Sequence, residues 1–403
     1  HYIENSLNEK SSVQLKANKL ANKLVPVTLG LATASYIFTK DFERVASILQ
    51  ADYSCALKLA TPVAFKSTIS KAGHNGIMIK GAKSIEALSN ADTFVFDKTG
   101  TLTAGELEVI CVESYDDKWS EDKLLNLTAS TEEHYFHPVA EAVVKAAKQR
   151  GFVHMHHEEV EFIVAHGVKT EVKGKSVIIG SRHFLEDDEK IDFTEHKDKI
   201  ENSLRDGRTL LYIAYNGKLL GTITLADELR HNSKEAISKL KKLGVKNIIM
   251  LTGDTKQKAK MIADELGINE VRAELLPQDK AKIVKELMNE GKKVAFVGDG
   301  INDAPALISA HVGISMSRGA DIAKATADIS LLKDDIMAVV EAKEYANKTM
   351  NLINNNFNAT VGINSCILAG ATFGVFSPIV TAVLHNGTTI GLLFNSIKGV
   401  NIR

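Results

Sequence analysis

Apolar positions along the middle of the chain alternate between strand-length runs and helix-length repeats. Three runs rich in β-branched and aromatic residues begin at Thr93, Asn247 and Lys293 and have the sequences TFVF, NIIML and KVAFV. Stretches with apolar residues at i, i+3 and i+4 separate the later runs, as in amphipathic helices. These stretches end at Gly244, Gly267 and Gly291, where helices with left-handed C-terminal caps are expected to stop. The alternation predicts a doubly wound α/β domain with a parallel sheet.

The pattern changes within this domain. Between Leu107 and about Gly221, a helical segment containing HPVAEAVVKAAKQ is followed by short strand-like runs with glycine turns. We interpret this part as an inserted α+β domain. The predicted boundaries are 84–107 and 222–336 for the two parts of the parallel-sheet domain and 108–221 for the insertion.

Long apolar segments flank the α/β domain. Two helical runs precede Pro62, and two more follow Asp335 in a stretch rich in Asn, Thr and Gly. Lysines border the first pair at both ends, which favours a cytoplasmic location for both ends. We therefore expect a membrane hairpin with a preceding helix over 1–83 and transmembrane helices over 337–403. A buried soluble helix is the alternative for the second segment.

Charge and cysteine content narrow the function classes. The 403 residues contain 49 Lys and Arg against 50 Asp and Glu, so the chain lacks the basic excess of a nucleic-acid-binding protein. We expect no nucleic-acid partner. Three scattered cysteines are too few for a disulfide framework, which fits a reducing compartment or a membrane.

Four polar clusters follow predicted strands, and they suggest phosphoryl transfer. Asp97 follows TFVF directly, and the other clusters are LTGD, PQDK and VGDGINDAP. Carboxyl ends of parallel strands are where such folds place reactive groups. We predict that Asp97 attacks a terminal phosphate and that Thr252 and Lys280 bind its oxygens. Asp299 and Asp303, together with Asp97, would hold Mg²⁺. The alternative is that these aspartates only form strand-end turns.

The motifs DKTGTLT, TGD and GDGINDAPAL resemble the phosphorylation domain of P-type ATPases, within the haloacid dehalogenase superfamily. Phosphatases of that superfamily typically carry a second aspartate, an acid/base group, where this chain has Thr99. The resemblance therefore implies a long-lived aspartyl phosphate at Asp97. It also implies ATP and Mg²⁺ as cofactors, with Lys98, Gly253 and Asp254 among the residues that bind them.

The inserted domain contains STEEHYFHPVAEAVV, which resembles the Ser-Glu-His-Pro element of heavy-metal-transporting P-type ATPases. The resemblance implies that Glu132 and His137 hold adenine, near a Gly-x-Gly turn of which only Gly167 is retained, because Ala165 replaces the first glycine. A capping or core histidine is the alternative for His137. The HMHHEE run from residue 154 to 159 could bind metal, although a solvated loop is the simpler interpretation.

Two positions resemble the transport motifs of the same family. DYSCALKLATP stands where such pumps have Cys-Pro-Cys, and it retains Cys55 without the proline. LHNGTTIG places His385 in the last apolar segment, with Asp52 and Asn386 as further oxygen donors. One thiol and one imidazole favour a borderline divalent ion, with Zn²⁺, Mn²⁺, Fe²⁺, Co²⁺ and Ni²⁺ all open. The alternative is that Cys55 is a small buried hydrophobe.

The resemblance implies ATP-driven transport of a divalent transition-metal cation through an aspartyl phosphate at Asp97. It further implies a lipid bilayer as partner, a multi-pass location in the cell membrane and cytoplasmic catalytic domains, and it leaves the oligomeric state open. The chain begins at His1 without a Thr-Gly-Glu loop before the hairpin, so we expect a piece of a longer pump that lacks its upstream actuator region. The alternatives are a soluble phosphatase of the same superfamily and a membrane-anchored regulator without turnover.

Overall fold

The computed structural model of the chain describes residues 11–51, 53–133, 137–163, 166–204, 208–299, 303–317 and 321–402. The chain divides into two units. One consists of the residues up to Thr101 together with those from His231 onward, and the other is Leu102–Arg230. We call them the parallel-sheet unit and the antiparallel-sheet unit. The domain boundaries expected from the sequence remain predictions.

The helices are α1 (Ser12–Thr39), α2 (Phe42–Gln50), α3 (Ser54–His74), α4 (Ala82–Asn90), α5 (Glu121–Glu132), α6 (Pro138–Gln149), α7 (Lys197–Leu204), α8 (Ser233–Lys242), α9 (Lys256–Leu266), α10 (Pro277–Asn289), α11 (Ala304–Ser309), α12 (Asp321–Thr326), α13 (Met337–Thr372) and α14 (Pro378–Lys398). The strands are β1 (Ile77–Ile79), β2 (Thr93–Asp97), β3 (Thr103–Ser114), β4 (Glu161–Ile163), β5 (Gly167–Val172), β6 (Lys175–Gly180), β7 (Thr209–Tyr215), β8 (Lys218–Leu229), β9 (Asn247–Leu251), β10 (Glu270–Arg272), β11 (Val294–Gly298), β12 (Val312–Ser315) and β13 (Ile329–Leu331).

The parallel-sheet unit contains a seven-stranded sheet in the order β1-β13-β12-β11-β2-β9-β10. All neighbours are parallel except β1, which runs antiparallel to β13. Every residue of the central strands β2 and β11 is buried, as expected for a sheet with both faces covered. The predicted doubly wound α/β domain is therefore confirmed. The three glycines at the predicted helix ends all have positive φ.

The antiparallel-sheet unit contains six strands in the order β3-β8-β7-β6-β5-β4. Helices α5 and α6 contribute Leu124 and Val143 to a core that also contains Val168, Ile179 and Ile223 of the sheet. These apolar residues exclude water from one face of the sheet. The unit has the α+β character predicted for the insertion.

Helices α1, α3, α13 and α14 occupy the flanking segments. Among the described residues, no helix is both long enough and apolar enough to cross a bilayer. This finding corrects the expectation of transmembrane helices over 1–83 and 337–403. The reason is composition, because Lys58, Lys66 and Lys71 interrupt α3, and polar residues dilute the apolar runs of α13 and α14.

Candidate functional site

The strands β2, β9 and β11 end at the same edge of the parallel sheet. Asp97 pairs in register with Leu251, and Phe96 pairs with Val297. The residues that follow these strands, Thr252 and Asp299 among them, therefore emerge beside Asp97. This is the edge at which open α/β sheets bind their ligands.

Lys280, in the first turn of α10, joins two carboxylates at this edge. Its Nζ donates to Asp97 Oδ1 at 2.7 Å and to Asp303 Oδ1 at 2.8 Å. All three groups are largely buried, with side-chain exposures of 12% for Lys280, 9% for Asp97 and 1% for Asp303. A buried charge needs a partner of opposite sign, and each of these has one.

Burial and the neighbouring charges set the protonation of Asp97. Burial and the Asp303 carboxylate raise the pKa of Asp97 to about 7, although Lys280 opposes them. Burial lowers the pKa of Lys280, but the Asp97 and Asp303 carboxylates outweigh it, and the net shift is upward. The lysine therefore stays charged and favours the ionised form of Asp97.

The carboxylates fit a magnesium ion. One oxygen each of Asp97, Asp299 and Asp303 lies within 4.8 Å of the others, and Mg²⁺ prefers such hard oxygen ligands. Gly100 makes room for them. Its φ is 71°, and a Cβ at this position would lie 1.6 Å from Asp299 Oδ2. Only glycine combines this backbone conformation with this space.

The other residues predicted for this edge lie in the turns after β2 and β9, where they contact one another. Lys98 Nζ forms a 2.7 Å ion pair with Asp254 Oδ2. Burial raises the pKa of Asp254, but Lys98, Lys258 and Thr252 together outweigh burial and the net shift is downward. The Thr252 hydroxyl accepts the Asp254 N–H at 3.1 Å. Gly253 and Thr99 are exposed, and Thr99 has extended backbone angles.

A second site lies in the antiparallel-sheet unit. Glu132, His137 and Gly167, which the sequence assigned to nucleotide binding, line one cavity of about 220 Å³. This volume is below the roughly 300–1,000 Å³ of pockets that enclose drug-sized ligands, so the cavity suits a planar base better than a whole nucleotide. Val139, Ile163, Leu210 and Leu211 contribute apolar walls.

Polar groups of different character face this cavity. Glu132 ends α5 and is 5% exposed, and burial raises the pKa of its carboxyl to about 7. His137 caps the N-terminus of α6, because its Nδ1 accepts the Val139 N–H at 3.3 Å. The capping role considered for His137 is thus present, and the same ring lines the cavity.

Gly167 brings two strands together beside the cavity. Its φ is 155°, and a Cβ would lie 2.0 Å from the carbonyl oxygen of Ile179. Glycine is therefore required here by the close pairing of β5 with β6, whatever binds in the cavity. Ala165, the other half of the predicted turn, lies outside the described residues.

Comparison with known proteins agrees with this geometry. A family model for a haloacid dehalogenase-like hydrolase matches residues 91–311, more than half of the chain. A solved catalytic domain of the CPx-ATPase CopB-B is 31% identical, and the match covers 98% of that domain and 68% of this chain with a TM-score of 0.53. The chain belongs to the P-type ATPases.

Longer relatives extend the P-type match to nearly the whole chain. The zinc-exporting P-type ATPase of Mycobacterium marinum is 35% identical over all of it, and the manganese-exporting P-type ATPase of Mycobacterium leprae is 36% identical. A crystal structure of a zinc-transporting PIB-type ATPase in the E2.Pi state has a TM-score of 0.83 at 30% identity, covering 98% of this chain and 66% of that one. The chain spans about half, 55%, of the length of the two curated relatives.

The positions that resemble the transport motifs of P-type pumps lie on α3 and α14, which pack together. Cys55 is exposed, so it is not the small buried hydrophobe considered from the sequence. His385 is buried, and within the described part of the chain its Nδ1 has no hydrogen-bond partner. Asp52 lies outside the described residues. Among the described residues, neither Cys55 nor His385 belongs to a cluster of three metal-ligating side chains.

Sequence reasoning missed the roles of two residues in this chain. Gly100 was quoted as part of a motif, but its contact with Asp299 depends on a loop 199 positions away and leaves no local signal. Glu133 was passed over, and the structure brings it against His154. The histidine-rich run was a visible signal for that contact, but nothing in the sequence indicates which carboxylate faces it.

Proposed function

We propose that this protein uses ATP to drive a divalent transition-metal cation across a membrane, through an aspartyl phosphate at Asp97. The observation that carries the proposal is Lys280, which bridges Asp97 and Asp303 in a buried position at the carboxyl edge of the sheet. Lys280 opposes the effect of burial and so favours the ionised form of a carboxylate that a phosphate can reach. The zinc- and manganese-exporting relatives support the transport part of the proposal.

The chemical step is a transfer of the γ-phosphoryl group. A carboxylate oxygen of Asp97 forms a bond to the γ-phosphorus of ATP while the bond from that phosphorus to the β,γ-bridging oxygen breaks. ADP leaves with the bonding electron pair, so Asp97 needs no proton to be removed when it is ionised. When bound by Asp97, Asp299 and Asp303, Mg²⁺ would supply positive charge to the phosphoryl oxygens.

The neighbours of Asp97 have separate roles in this step. Lys280 neutralises charge on the transferring group, and the Thr252 hydroxyl hydrogen-bonds one of its oxygens. Thr99 stands where related phosphatases carry an acid, and a hydroxyl is a poor acid/base group near neutral pH. The aspartyl phosphate would therefore persist long enough for a transport cycle.

In the antiparallel-sheet unit we assign Glu132, His137 and Gly167 to the adenine base. The cavity that they line has apolar walls for the ring faces and polar groups for the ring edge. This combination is typical of sites that bind a flat, uncharged group. We assign the phosphate contacts to the parallel-sheet unit instead, which contains Lys280 and the carboxylates around Asp97.

For the transported ion we propose ligands from α3 and α14. His385 is buried with an orphaned Nδ1 among the described residues, and a buried polar atom without a partner is costly unless a ligand completes it. Cys55 supplies a thiol on the neighbouring helix. An imidazole and a thiol favour a borderline divalent ion, but they do not choose among Zn²⁺ and its neighbours in the series.

Labelling with ATP that carries an isotope in the γ-phosphate tests the proposal. With Mg²⁺, the chain should acquire an acid-stable, hydroxylamine-sensitive label, and Asp97→Asn should abolish it. Asp264→Asn is the matched control, because Asp264 is an exposed aspartate of α9 in the same unit. A label that survives in Asp97→Asn would refute the assignment. Rapid release of phosphate without a label would favour the phosphatase, and neither label nor release would favour the regulator.

A further inference from the structure

A second group of metal-ligating side chains lies in the antiparallel-sheet unit. Glu133 follows the last residue of α5, and His154 and His157 lie in the segment between α6 and β4. One ligand atom from each of the three residues lies within 4.8 Å of the others. His154 Nδ1 is 3.1 Å from Glu133 Oε1, and the two histidine rings are 5.4 Å apart. Two imidazoles and a carboxylate thus converge from positions about twenty residues apart.

The ring of His157 is oriented as a metal-ligating histidine usually is. Its Nδ1 lies 2.7 Å from the carbonyl oxygen of Glu158, which can only accept, so this hydrogen bond puts a proton on Nδ1. Nε2 then carries a lone pair. This atom is buried, and no described residue gives it a hydrogen-bond partner. A backbone carbonyl on one nitrogen and a ligand on the other is the usual arrangement for metal-bound imidazole.

The backbone that carries the histidines is held on both sides. The Met155 N–H donates to Ser130 Oγ of α5 at 2.8 Å. Further along, the Thr170 hydroxyl donates to the carbonyl oxygens of Glu158 and Glu159 at 3.0 and 3.1 Å, and the Glu158 N–H donates to the Glu171 carbonyl oxygen. These bonds connect the segment to α5 and to β5. The ligand atoms are therefore close to their final positions before any ion binds, which lowers the entropic cost of binding.

We propose that Glu133, His154 and His157 bind one divalent transition-metal ion of the zinc type. Two histidines and a glutamate form a ligand set typical of Zn²⁺ sites that keep a fourth position open to water. Imidazole ligands also suit Ni²⁺, Cu²⁺ and Co²⁺, whereas Mg²⁺ and Ca²⁺ prefer oxygen. This site is separate from the carboxylates around Asp97 and from Cys55 and His385, which belong to the other unit.

The proposed metal site lies next to the cavity that Glu132 lines, so a bound ion would affect the cavity wall. Glu133 directly follows Glu132, which lines the cavity described above. A shared ion would fasten the end of α5 to the segment that carries His154 and His157. The ion would thus stabilise one wall of the cavity, in addition to the hydrogen bond between Met155 and Ser130.

Zinc titration of the full chain and its single variants tests the site. The number of Zn²⁺ equivalents is measured by calorimetry in excess Mg²⁺, and only differences between chains are compared, so other zinc sites cancel. His154→Ala and His157→Ala should each bind one equivalent less than the parent chain. His156→Ala should bind as many as the parent, because His156 is an exposed histidine of the same run and lies outside the cluster. The His154 side chain is 46% exposed, so its loss should leave the fold intact.

Co²⁺ absorption provides a second measurement that does not depend on counting. The parent chain and His156→Ala should show equal absorption in the visible bands of four-coordinate Co²⁺, and His157→Ala and Glu133→Gln should lose one ion's share of that absorption. The proposal is overturned if His154→Ala and His157→Ala keep the parent stoichiometry and spectrum. It is equally overturned if His156→Ala loses the same equivalent, because the run would then bind zinc without Glu133.

Discussion

Two buried carboxyls, one in each unit, have the same pKa of about 7 and reach it by different physics. Burial and the Asp303 carboxylate raise the pKa of Asp97, and Lys280 lowers it. Burial alone raises the pKa of Glu132. At Asp97, charges of both signs act on the carboxyl, so a bound cation or phosphate would change its pKa. At Glu132, burial is the cause, so a ligand that displaces water or hydrogen-bonds to the carboxyl would change its pKa. The sheet edge around Asp97, Lys280 and Asp303, which we call the charged edge, is therefore suited to charged ligands. The cavity lined by Glu132 and His137, which we call the neutral site, is suited to an uncharged base.

The largest expected effect follows from removing the cation at the charged edge. Lys280→Met should slow phosphorylation of Asp97 by ATP by at least about a hundredfold, since removing one preorganised group that stabilises transition-state charge costs about 10²–10³ in rate. Without Lys280, Asp97 and Asp303 would repel each other, and Asp97 would be protonated and a poor nucleophile. The measurement is the initial rate of phosphoenzyme formation at saturating ATP.

Lys282→Met is the control for that variant, because the Lys282 side chain lies two residues further along α10 and is 77% exposed. It should leave the rate within about twofold, as expected for an exposed lysine. If Lys280→Met slowed phosphorylation less than tenfold, the balance of charges at Asp97 would not control the step.

A smaller loss is expected from Gly100→Ala. Its Cβ would lie 1.6 Å from Asp299 Oδ2, so the carboxylate must move and Mg²⁺-dependent phosphorylation should fall by about tenfold or more. Gly267→Ala is matched to it, because Gly267 has the same φ of 71° with nothing within 4 Å of the added Cβ. That variant should lose only about 1 kcal/mol of stability. Equal phosphorylation rates in the two variants would show that crowding at Asp299 is unimportant.

At the neutral site, His137→Ala should reduce phosphorylation of Asp97 by ATP about tenfold, because one or two hydrogen bonds to the base are lost. Phosphorylation of Asp97 by inorganic phosphate should be unchanged, because no base is involved. Comparing the two phosphorylation assays separates base binding from phosphate chemistry. Parallel loss in both assays would assign His137 to the phosphate edge or to the fold itself.

The smallest expected effect is that of salt on ligand affinity, which should differ between the two sites. Adenosine carries no charge, so its affinity should change less than about twofold between about 0.05 and 0.5 M salt, where the Debye length becomes much shorter. The affinity for inorganic phosphate should fall over the same range, because it depends on the charges of Lys280 and the bound cation. Adenosine binding that weakens as much as phosphate binding would contradict a neutral cavity.

The charged edge could be predicted from the sequence in large part. Each of its residues lies at or just after the end of a strand or near the start of a helix, and parallel strands bring their carboxyl ends to one edge. The contact between Lys280 and Asp97 spans 183 positions, yet it follows from that rule. The pair Lys98 and Asp254 was not predicted, because two residues assigned to ligand binding were not expected to bind each other.

Other features depend on packing that no local pattern encodes. The cluster of Glu133 with His154 requires the segment after α6 to return to the end of α5, and hydrogen bonds made by Ser130 and Thr170 produce this return. The expected membrane helices failed for a different reason. They were predicted from apolar runs and bordering lysines, whereas lysines within α3 and polar residues within α14 lower the hydropathy of the helices as formed.

The most direct test of the central claim is to locate the phosphate on the chain. After reaction with ATP and Mg²⁺, borohydride reduces an aspartyl phosphate to homoserine, and peptide mass spectrometry identifies the residue that changed. We predict homoserine at position 97 and at no other aspartate, with none formed when ATP is omitted. Homoserine at Asp299, Asp303 or any other aspartate, with Asp97 unchanged, would contradict the assignment of Asp97 as the residue that carries the phosphate.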